Sequence, residues 1–453
     1  MLLEVKTQNY KKFVEELSFS MIPAPRQKGL DYSVQSTKIG NKTYKSLSSG
    51  IIYGPNASGK TNIIGAMDTM KAIVLRGNIN NSDALFSTNV ASTNLELIPN
   101  CDINDTPTKF YISFIENNLF IEYSIIIDLG NFLDRNYDRK IKEEKLVVNG
   151  KLVFLRNENF LRNENIDEIL EVKLPTVIKE YVNDSISRKT PKMLKLAKNS
   201  LNDTELFLVN GFKSIYANKL VTLIVNWFKN KFTIIYRSDL SKYVRDVSGM
   251  DKNQFSYEVT LTEAAQAFGI TSNGLGFVSD KDDDILYSVF KDRKAMVPAE
   301  LFESYGTIRF INEFPFFIEA LANGGTLVMD EFDASIHPMA IMNIINIFHN
   351  DDINKKKAQF IFDTHNPIFL SSDLFRRDEI NFVEKDDSIH SSTHYKLSDF
   401  KTTDGIRKGE DYMKNYFVNR YGAINDIDFS PIIEEIVNRK GEESWTKFKK
   451  SKL

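Results

Sequence analysis

The chain has 453 residues, 42% hydrophobic and 26% charged, a composition that excludes wholesale disorder and leaves material for two or three domain-sized units. Its net charge of −3 excludes a global attraction to nucleic acid, so any such contact needs a local patch. One cysteine, Cys101, excludes an internal disulfide and suits a reducing compartment.

In chain order, "MLLEVKTQNYKKF" carries charges where a signal peptide needs an apolar core. "GIIY" (50–53) reads as a buried strand, followed by a glycine- and proline-containing loop and then a helical pattern, "TNIIGAMDTMKAIV" (61–74). The alternation in "TKFYISFIENNLFIEYSIIID" (108–128) predicts an antiparallel hairpin turning at Glu116-Asn117-Asn118. Residues 155–299 are rich in lysine and asparagine. Stretches such as "VTLIVNWFKNKF" (221–232), without sustained heptads, predict a compact and mostly helical insertion. The longest apolar run, "LVTLIVNWF" (220–228), falls short of the ~20 residues that span a bilayer. Beyond it, "ELFESYGTIRFINEF" (300–314) opens an apolar helix, and "GGTLVMDEFDASIHP" (324–338) and "AQFIFDTHNPIFL" (358–370) each hold a short strand with acids at its end. "INFVEKDDSIHSSTHYKL" (380–397) reads as strand-turn-strand.

The loop Gly54, Pro55, Asn56, Ala57, Ser58, Gly59, Lys60 and Thr61 fits G-x-x-x-x-G-K-[ST] at every defined position, with Asn62 next on the helix. Glycines let the backbone turn several N–H groups inward toward phosphate oxygens; Lys60 would reach the β- and γ-phosphates, and the Thr61 hydroxyl would ligate Mg²⁺. The strand before and helix after the loop are what anion binding at a helix N-terminus requires. A plain glycine turn is the competing reading. Asp330, at the C-terminal end of a parallel strand expected beside this loop, would hold the Mg²⁺ water shell, and Glu331 would polarise a water against the γ-phosphate. His365, at a third strand tip, is placed as a γ-phosphate sensor. Ser304, Gly306 and Thr307 open a helix and form a second anion half-site. Two half-sites for one phosphate chain make sense if the second serves a nucleotide held by another subunit.

Other features read as structural. The i,i+4 pair in "HSSTH" (390–394) lies on a strand, where such residues stand about 13 Å apart. Glu384, Asp386 and Asp387 do not form the acid set of a TOPRIM nuclease, and "DKDDD" (280–284) lacks EF-hand spacing. The mixed-charge segments "RKIKEEK" (139–145) and "WTKFKKSKL" read as solvated faces. Cys101 has no partner histidine in a recognisable motif and is expected to be inert.

The order of motifs resembles the ABC-type ATPase heads shared by SMC and RecF-like proteins and the OLD ATPases. Lys60 and Thr61 stand at the Walker A positions, Ser304 and Gly306 at the signature in an S-x-G-T-x-R form, and Asp330 and Glu331 at Walker B. Asp333 and Ser335 fall in the D-loop region, and His365 at the switch histidine. Over nearly the whole chain, through "NYKKFVEELSFSM", "FDASIHPMA", "THNPIFL" and "GIRKGEDYMKNYFVNRYGAI" (405–424), the sequence is similar to stand-alone ATPases of bacterial phage-defence operons, the AbiL and Rlo type.

The resemblance implies an α/β fold, an ABC-type P-loop head with a mixed sheet and flanking helices. The expected divisions are an N-terminal lobe (1–154), the insertion (155–299), a C-terminal lobe (300–425) and a tail (426–453). It implies ATP and Mg²⁺ as cofactors, Lys60, Glu331 and His365 as catalytic residues, Asp333 beside the nucleotide, and Thr61 and Asp330 at the metal. The expected partners are a second copy of the chain and an operon-encoded effector, a TOPRIM-like nuclease or toxin, in the cytoplasm and away from membranes. The alternative is a RecF/SMC-like DNA-repair ATPase that binds DNA directly. A transporter subunit fits less well, because its signature takes the L-S-G-G-Q form.

Overall fold

The computed structural model describes every residue except 26, 28, 81–94, 135–136, 158–169, 184–200, 237–254, 270–272, 280–283, 335, 387–389, 402–408, 425–427 and 439–453. Its first part runs β1 (Leu2–Gln8), β2 (Leu17–Ser20), β3 (Val34–Ile39), β4 (Lys42–Leu47), β5 (Ser49–Tyr53) and α1 (Lys60–Arg76). Then come β6 (Thr108–Glu116), β7 (Leu119–Asp128), β8 (Lys140–Val148), β9 (Lys151–Asn157) and β10 (Leu170–Val172). Next are α2 (Asn218–Asn230), β11 (Phe232–Ile235), β12 (Phe255–Tyr257), α3 (Val259–Ala267), β13 (Gly274–Ser279), β14 (Asp284–Phe290) and β15 (Ala295–Pro298). The last part holds α4 (Tyr305–Asn323), β16 (Thr326–Met329), α5 (Pro338–Phe348), β17 (Gln359–Asp363), β18 (Ile380–Asp386), β19 (Ser391–Lys396) and α6 (Tyr412–Phe417).

The fold is mixed α/β, as expected. A six-stranded sheet in the order β11-β16-β17-β5-β18-β19 is parallel except at β19. β5, β16 and β17 are buried along their whole length, which is why "SGIIY", "TLVM" and "QFIF" read as unbroken runs without an alternating pattern. Their side chains divide between two cores. Ile52, Val328 and Ile361 face a cluster shared with α1, α2 and a seven-stranded antiparallel sheet. Ile51, Tyr53, Leu327, Met329, Phe360 and Phe362 face α4 and α5.

The antiparallel sheet, β10-β9-β8-β7-β6-β1-β2, contains the expected hairpin. β6 and β7 turn through Asn117 and Asn118, with φ of 47° and 59°, the two left-handed positions that a two-residue hairpin turn needs and asparagine tolerates. Burial alternates strictly along β7, and the sheet packs on α2 through β6, where Phe114 stacks on Trp227 with ring centroids 3.8 Å apart.

The interval 155–299 combines helix and strand. The helices α2 and α3 lie in it, but so do β11, which extends the parallel sheet beside β16, and a separate four-stranded sheet β12-β13-β14-β15. The strands "FTII" and "GLGFV" are short and set in polar sequence, so their pattern is hidden by the surrounding lysines and asparagines. In the tail a further helix covers Ser430–Asn438; "WTKFKKSKL" lies outside the described residues. Among the described residues, no helix is long and apolar enough to cross a membrane.

Candidate functional site

Three parallel strands end at one edge. Met329 pairs with Phe362 and Asp363 with Ile52, so the residues following β16, β17 and β5 meet there: Asp330, Asp363 and the loop from Gly54. A Cβ on Gly54 would collide with the Val383 carbonyl and Ser58 Oγ; only glycine fits. Ala57 and Gly59 both lie in the left-handed region, at φ of 61° and 111°, and Gly59 is the N-cap of α1. A cap without a side chain at the positive end of a 17-residue helix makes a cradle for an anion.

Lys60 folds over this cradle. It is only 5% exposed, and its Nζ donates to the carbonyls of Gly54 (2.9 Å) and Pro55 (3.3 Å) and to His365 Nε2 (3.1 Å). Because the ammonium is the donor, Nε2 accepts and the ring proton sits on Nδ1. Burial lowers the Lys60 pKa against the pull of Asp363, Asp330, Glu331 and Asp333. Burial, followed by the neighbouring Lys60, lowers that of His365, keeping the imidazole neutral near pH 7. Asp363 is pushed well above the usual carboxylate range, first by burial and then by Asp330.

Two buried oxygens at this edge, Ser58 Oγ and Asp363 Oδ2, find no hydrogen-bond partner among the described residues. Orphaned acceptors, two crowded acids and a lysine are costly in an isolated protein. They become favourable when a divalent cation and phosphate enter. The donor set is all oxygen, which suits Mg²⁺. Thr61 and Asp330 are the expected residues at such an ion, and Asp363 adds a third oxygen source beside them.

Glu331 is exposed and has a left-handed backbone, φ 51°, which is rare for a side chain of this kind. Both sides of the residue are pinned. Its N–H donates to Asp363 Oδ1 (2.6 Å), and its carbonyl accepts from the Arg309 guanidinium (2.6 Å). Arg309 is held in turn by Glu313 one helical turn on (2.9 Å). Asp333 accepts from the Thr364 hydroxyl at 2.6 Å, which ties the loop after β16 to the loop after β17; burial raises its pKa. Ser335 lies outside the described residues.

Ser304 is the N-cap of α4. Its Oγ accepts from the Thr307 N–H (3.2 Å) and lies 2.9 Å from the Thr307 hydroxyl. Ser304 and Tyr305 are exposed, as are Leu301 and Phe302 just before them. The loop, Asp330 and His365 converge in one place, while at the start of α4 Ser304 is exposed and Gly306 half-buried. The sequence reading assigned no role to Asp363 or Arg309. The first was visible only as the acid at a third strand tip, the second as the R of S-x-G-T-x-R.

A family model described as "AAA domain, putative AbiEii toxin, Type IV TA system" matches residues 51–371. The chain belongs to this family. The match opens inside β5 and closes just after the turn that follows His365, so this AAA family segment includes every site residue named above. It supports the reading of the chain as a P-loop ATPase. No curated protein matches the chain at a significant level. Solved structures that align with it include the SMC head domain from Thermotoga maritima (13% identity, 87% of this chain and 98% of that one, TM-score 0.35). An Smc head bound to the C-winged helix domain of ScpA also aligns (12%, 88% and 98%, 0.36). So does an Smc head with an extended coiled coil, bound to the C-terminal domain of ScpA derived from Pyrococcus furiosus (14%, 88% and 97%, 0.36).

Proposed function

We propose that the chain binds and hydrolyses Mg-ATP between two copies arranged head to tail, and that the ATP-driven closure switches a separately encoded effector in an anti-phage defence system. The observation that carries the reading is the convergence of Lys60, Asp330, Asp363 and His365 on one cradle while Ser304, at the start of α4, is exposed to solvent.

In this reading the N–H groups of Gly54–Asn62 and Lys60 hold the phosphates, and Glu331 takes the proton of the attacking water. The left-handed backbone of Glu331, pinned by Asp363 and Arg309, fixes where its carboxylate starts. Neutral His365 meets the γ-phosphate through the nitrogen that now accepts from Lys60. Bound Mg²⁺ neutralises developing phosphate charge. Asp333, crosslinked to Thr364, stands where one copy would meet its partner. The exposed Leu301, Phe302 and Tyr305 supply apolar area around the signature end of α4.

The family's description names a putative AbiEii toxin of a type IV TA system, which favours a defence role over DNA repair. An effector partner follows from economy: the described residues supply an ATPase engine without a second catalytic constellation. A hundredfold preference of ATP for the closed state shifts the equilibrium by about 2.7 kcal/mol, enough to hold or release a bound protein.

The test mixes Ser304→Arg protein with Lys60→Ala protein, each inactive alone. Mixed dimers carry one intact composite site, so part of the ATPase activity returns. A Ser304→Arg protein that hydrolyses ATP at the wild-type rate as a monomer would refute the arrangement. In cells, the product of the adjacent gene co-purifies with the chain, and Lys60→Ala abolishes phage restriction. Protection by this chain alone would refute the switch.

A further inference from the structure

We propose that Cys101, Asp102 and His390 form a binding site for a zinc-class divalent metal ion, separate from the nucleotide site. Cys101 and His390 are 289 positions apart in sequence (390 − 101), and the fold brings them together. The Cys101 thiol, one Asp102 carboxylate oxygen and His390 Nδ1 all lie within 4.8 Å of one another.

The separations fit a metal. His390 Nδ1 is 3.2 Å from Asp102 Oδ1, and Cys101 Sγ is 3.6 Å from the same oxygen. A tetrahedral zinc with bonds of about 2.3 Å to sulfur and about 2.0 Å to nitrogen or oxygen has ligand-to-ligand edges of roughly 3.5 and 3.3 Å. The third edge, between Cys101 Sγ and His390 Nδ1, lies within 4.8 Å and would close to roughly 3.5 Å around an ion seated above the triangle. Three protein ligands leave a fourth position for water.

The surroundings are already arranged. Asn100 is fully buried, and its side chain bridges both halves of the site: Oδ1 accepts the Asp102 N–H (2.8 Å), and Nδ2 donates to the His390 carbonyl (2.9 Å) and to the Lys11 carbonyl (2.7 Å). The second Asp102 oxygen accepts the His390 N–H at 2.9 Å. The Asp102 carboxylate is thus oriented by an outer hydrogen bond, and Asn100 fixes the backbone of both Asp102 and His390, support of the kind a metal site needs. Thiolate with imidazole and carboxylate selects zinc and its soft neighbours over Mg²⁺ or Ca²⁺, which take oxygen alone.

Burial and the Asp102 carboxylate raise the Cys101 pKa, so the metal-free site holds a thiol. Metal binding forms the metal–sulfur and metal–Nδ1 bonds: the thiol proton goes to solvent, and the Nδ1 proton that faces Asp102 is lost as the ring takes up a proton on Nε2. The ion would staple the loop at 100–102 to the start of β19. Two residues on, the Ser392 N–H donates to the Lys12 carbonyl at 2.8 Å, and Lys12 Nζ donates to the Ala57 carbonyl in the phosphate cradle. The site therefore stiffens the outer wall of the P-loop.

The test titrates full-length, chelator-stripped protein with Co²⁺ in excess Mg²⁺, without nucleotide. One equivalent of Co²⁺ should raise a thiolate-to-cobalt charge-transfer band that one equivalent of Zn²⁺ removes. The band should vanish in Cys101→Ser, and affinity should fall at least ~10-fold in His390→Ala and Asp102→Asn. Absence of the band in the wild type, or wild-type affinity in His390→Ala, overturns the proposal. A second readout uses only folded wild type and Asp102→Asn: saturating Zn²⁺ should slow alkylation of Cys101 at least ~10-fold in the former and much less in the latter. An alkylation rate in the wild type that ignores zinc overturns it equally.

Discussion

The two ends of the central parallel sheet are built to opposite rules. At the end where β5, β16 and β17 begin, Gln359 is fully buried and saturated: its Oε1 accepts from the Leu2 N–H (2.6 Å) and the Thr326 hydroxyl (2.9 Å), and its Nε2 donates to the Leu2 carbonyl, Ser46 Oγ and the Leu47 carbonyl (3.0, 2.7 and 3.0 Å). At the end where the same strands stop, two acids crowd each other, Asp363 Oδ2 and Ser58 Oγ lack partners among the described residues, and Glu331 sits in a left-handed backbone. One end is satisfied by the protein itself; the other is left to be satisfied by a ligand. Stability and function are thus separated by the length of a strand.

The largest effect tests the satisfied end. Gln359→Ala strands several buried donors and acceptors at once and should cost on the order of 3–5 kcal/mol, read by chemical denaturation, with ATP affinity of the folded fraction unchanged. At the other end, Glu331→Gln should lower turnover by ~10²-fold or more while ATP still binds and the melting temperature holds. If its turnover stays near wild type, Glu331 is not the base. Asp363→Asn should weaken the Mg²⁺ dependence of turnover by ~10–100-fold and yet raise the melting temperature of the ligand-free protein.

The sign of that last effect depends on pH. A carboxyl whose pKa is raised on folding favours the folded state most below the ordinary aspartate range, and that advantage is lost as pH rises through the raised value. Wild type should therefore lose stability relative to Asp363→Asn on going from acid to neutral pH, and Mg-ATP should close the gap. Identical pH profiles for the two proteins would contradict the crowded-acid account. The smallest change is Arg309→Gln, which frees the Glu331 carbonyl. It should reduce turnover ~10-fold without weakening ATP binding, because the carboxylate loses its fixed starting point but keeps its chemistry.

Contiguous chemistry was legible in the sequence. The cradle from Gly54 to Thr61 needs eight adjacent residues, and the helix opened by Ser304 and the strands tipped by Asp330 and Asp363 appeared where their patterns placed them. The β6–β7 hairpin was equally readable, because alternation and two asparagines specify it locally. Strand order was hidden. That Asp363 lies beside Asp330 follows from β17 pairing with β16, a long-range fact without a local signature. The approach of Cys101 to His390 was hidden for the same reason: no sequence motif pairs the two, and the pairing of β19 with β18 brings His390 to the loop at 100–102. His394, the other half of the tempting pair, is instead half-buried with Nε2 3.1 Å from Asn381 Oδ1, and desolvation pushes its pKa down to about 3.

The position of β5 between β17 and β18 also sets a schedule for biosynthesis. β5 ends at Tyr53, whereas its neighbour β17 ends at Asp363, 310 residues later (363 − 53). At ~5–20 residues per second, the ribosome needs roughly 15–60 s to make that interval. Until then an apolar strand and its glycine loop wait without the strands that flank them. The antiparallel sheet, whose hairpins pair near neighbours in sequence, can assemble during the wait and shield the helix that follows the loop. A nascent chain halted before β17 should therefore hold a protease-resistant antiparallel core and an open, nucleotide-incompetent cradle.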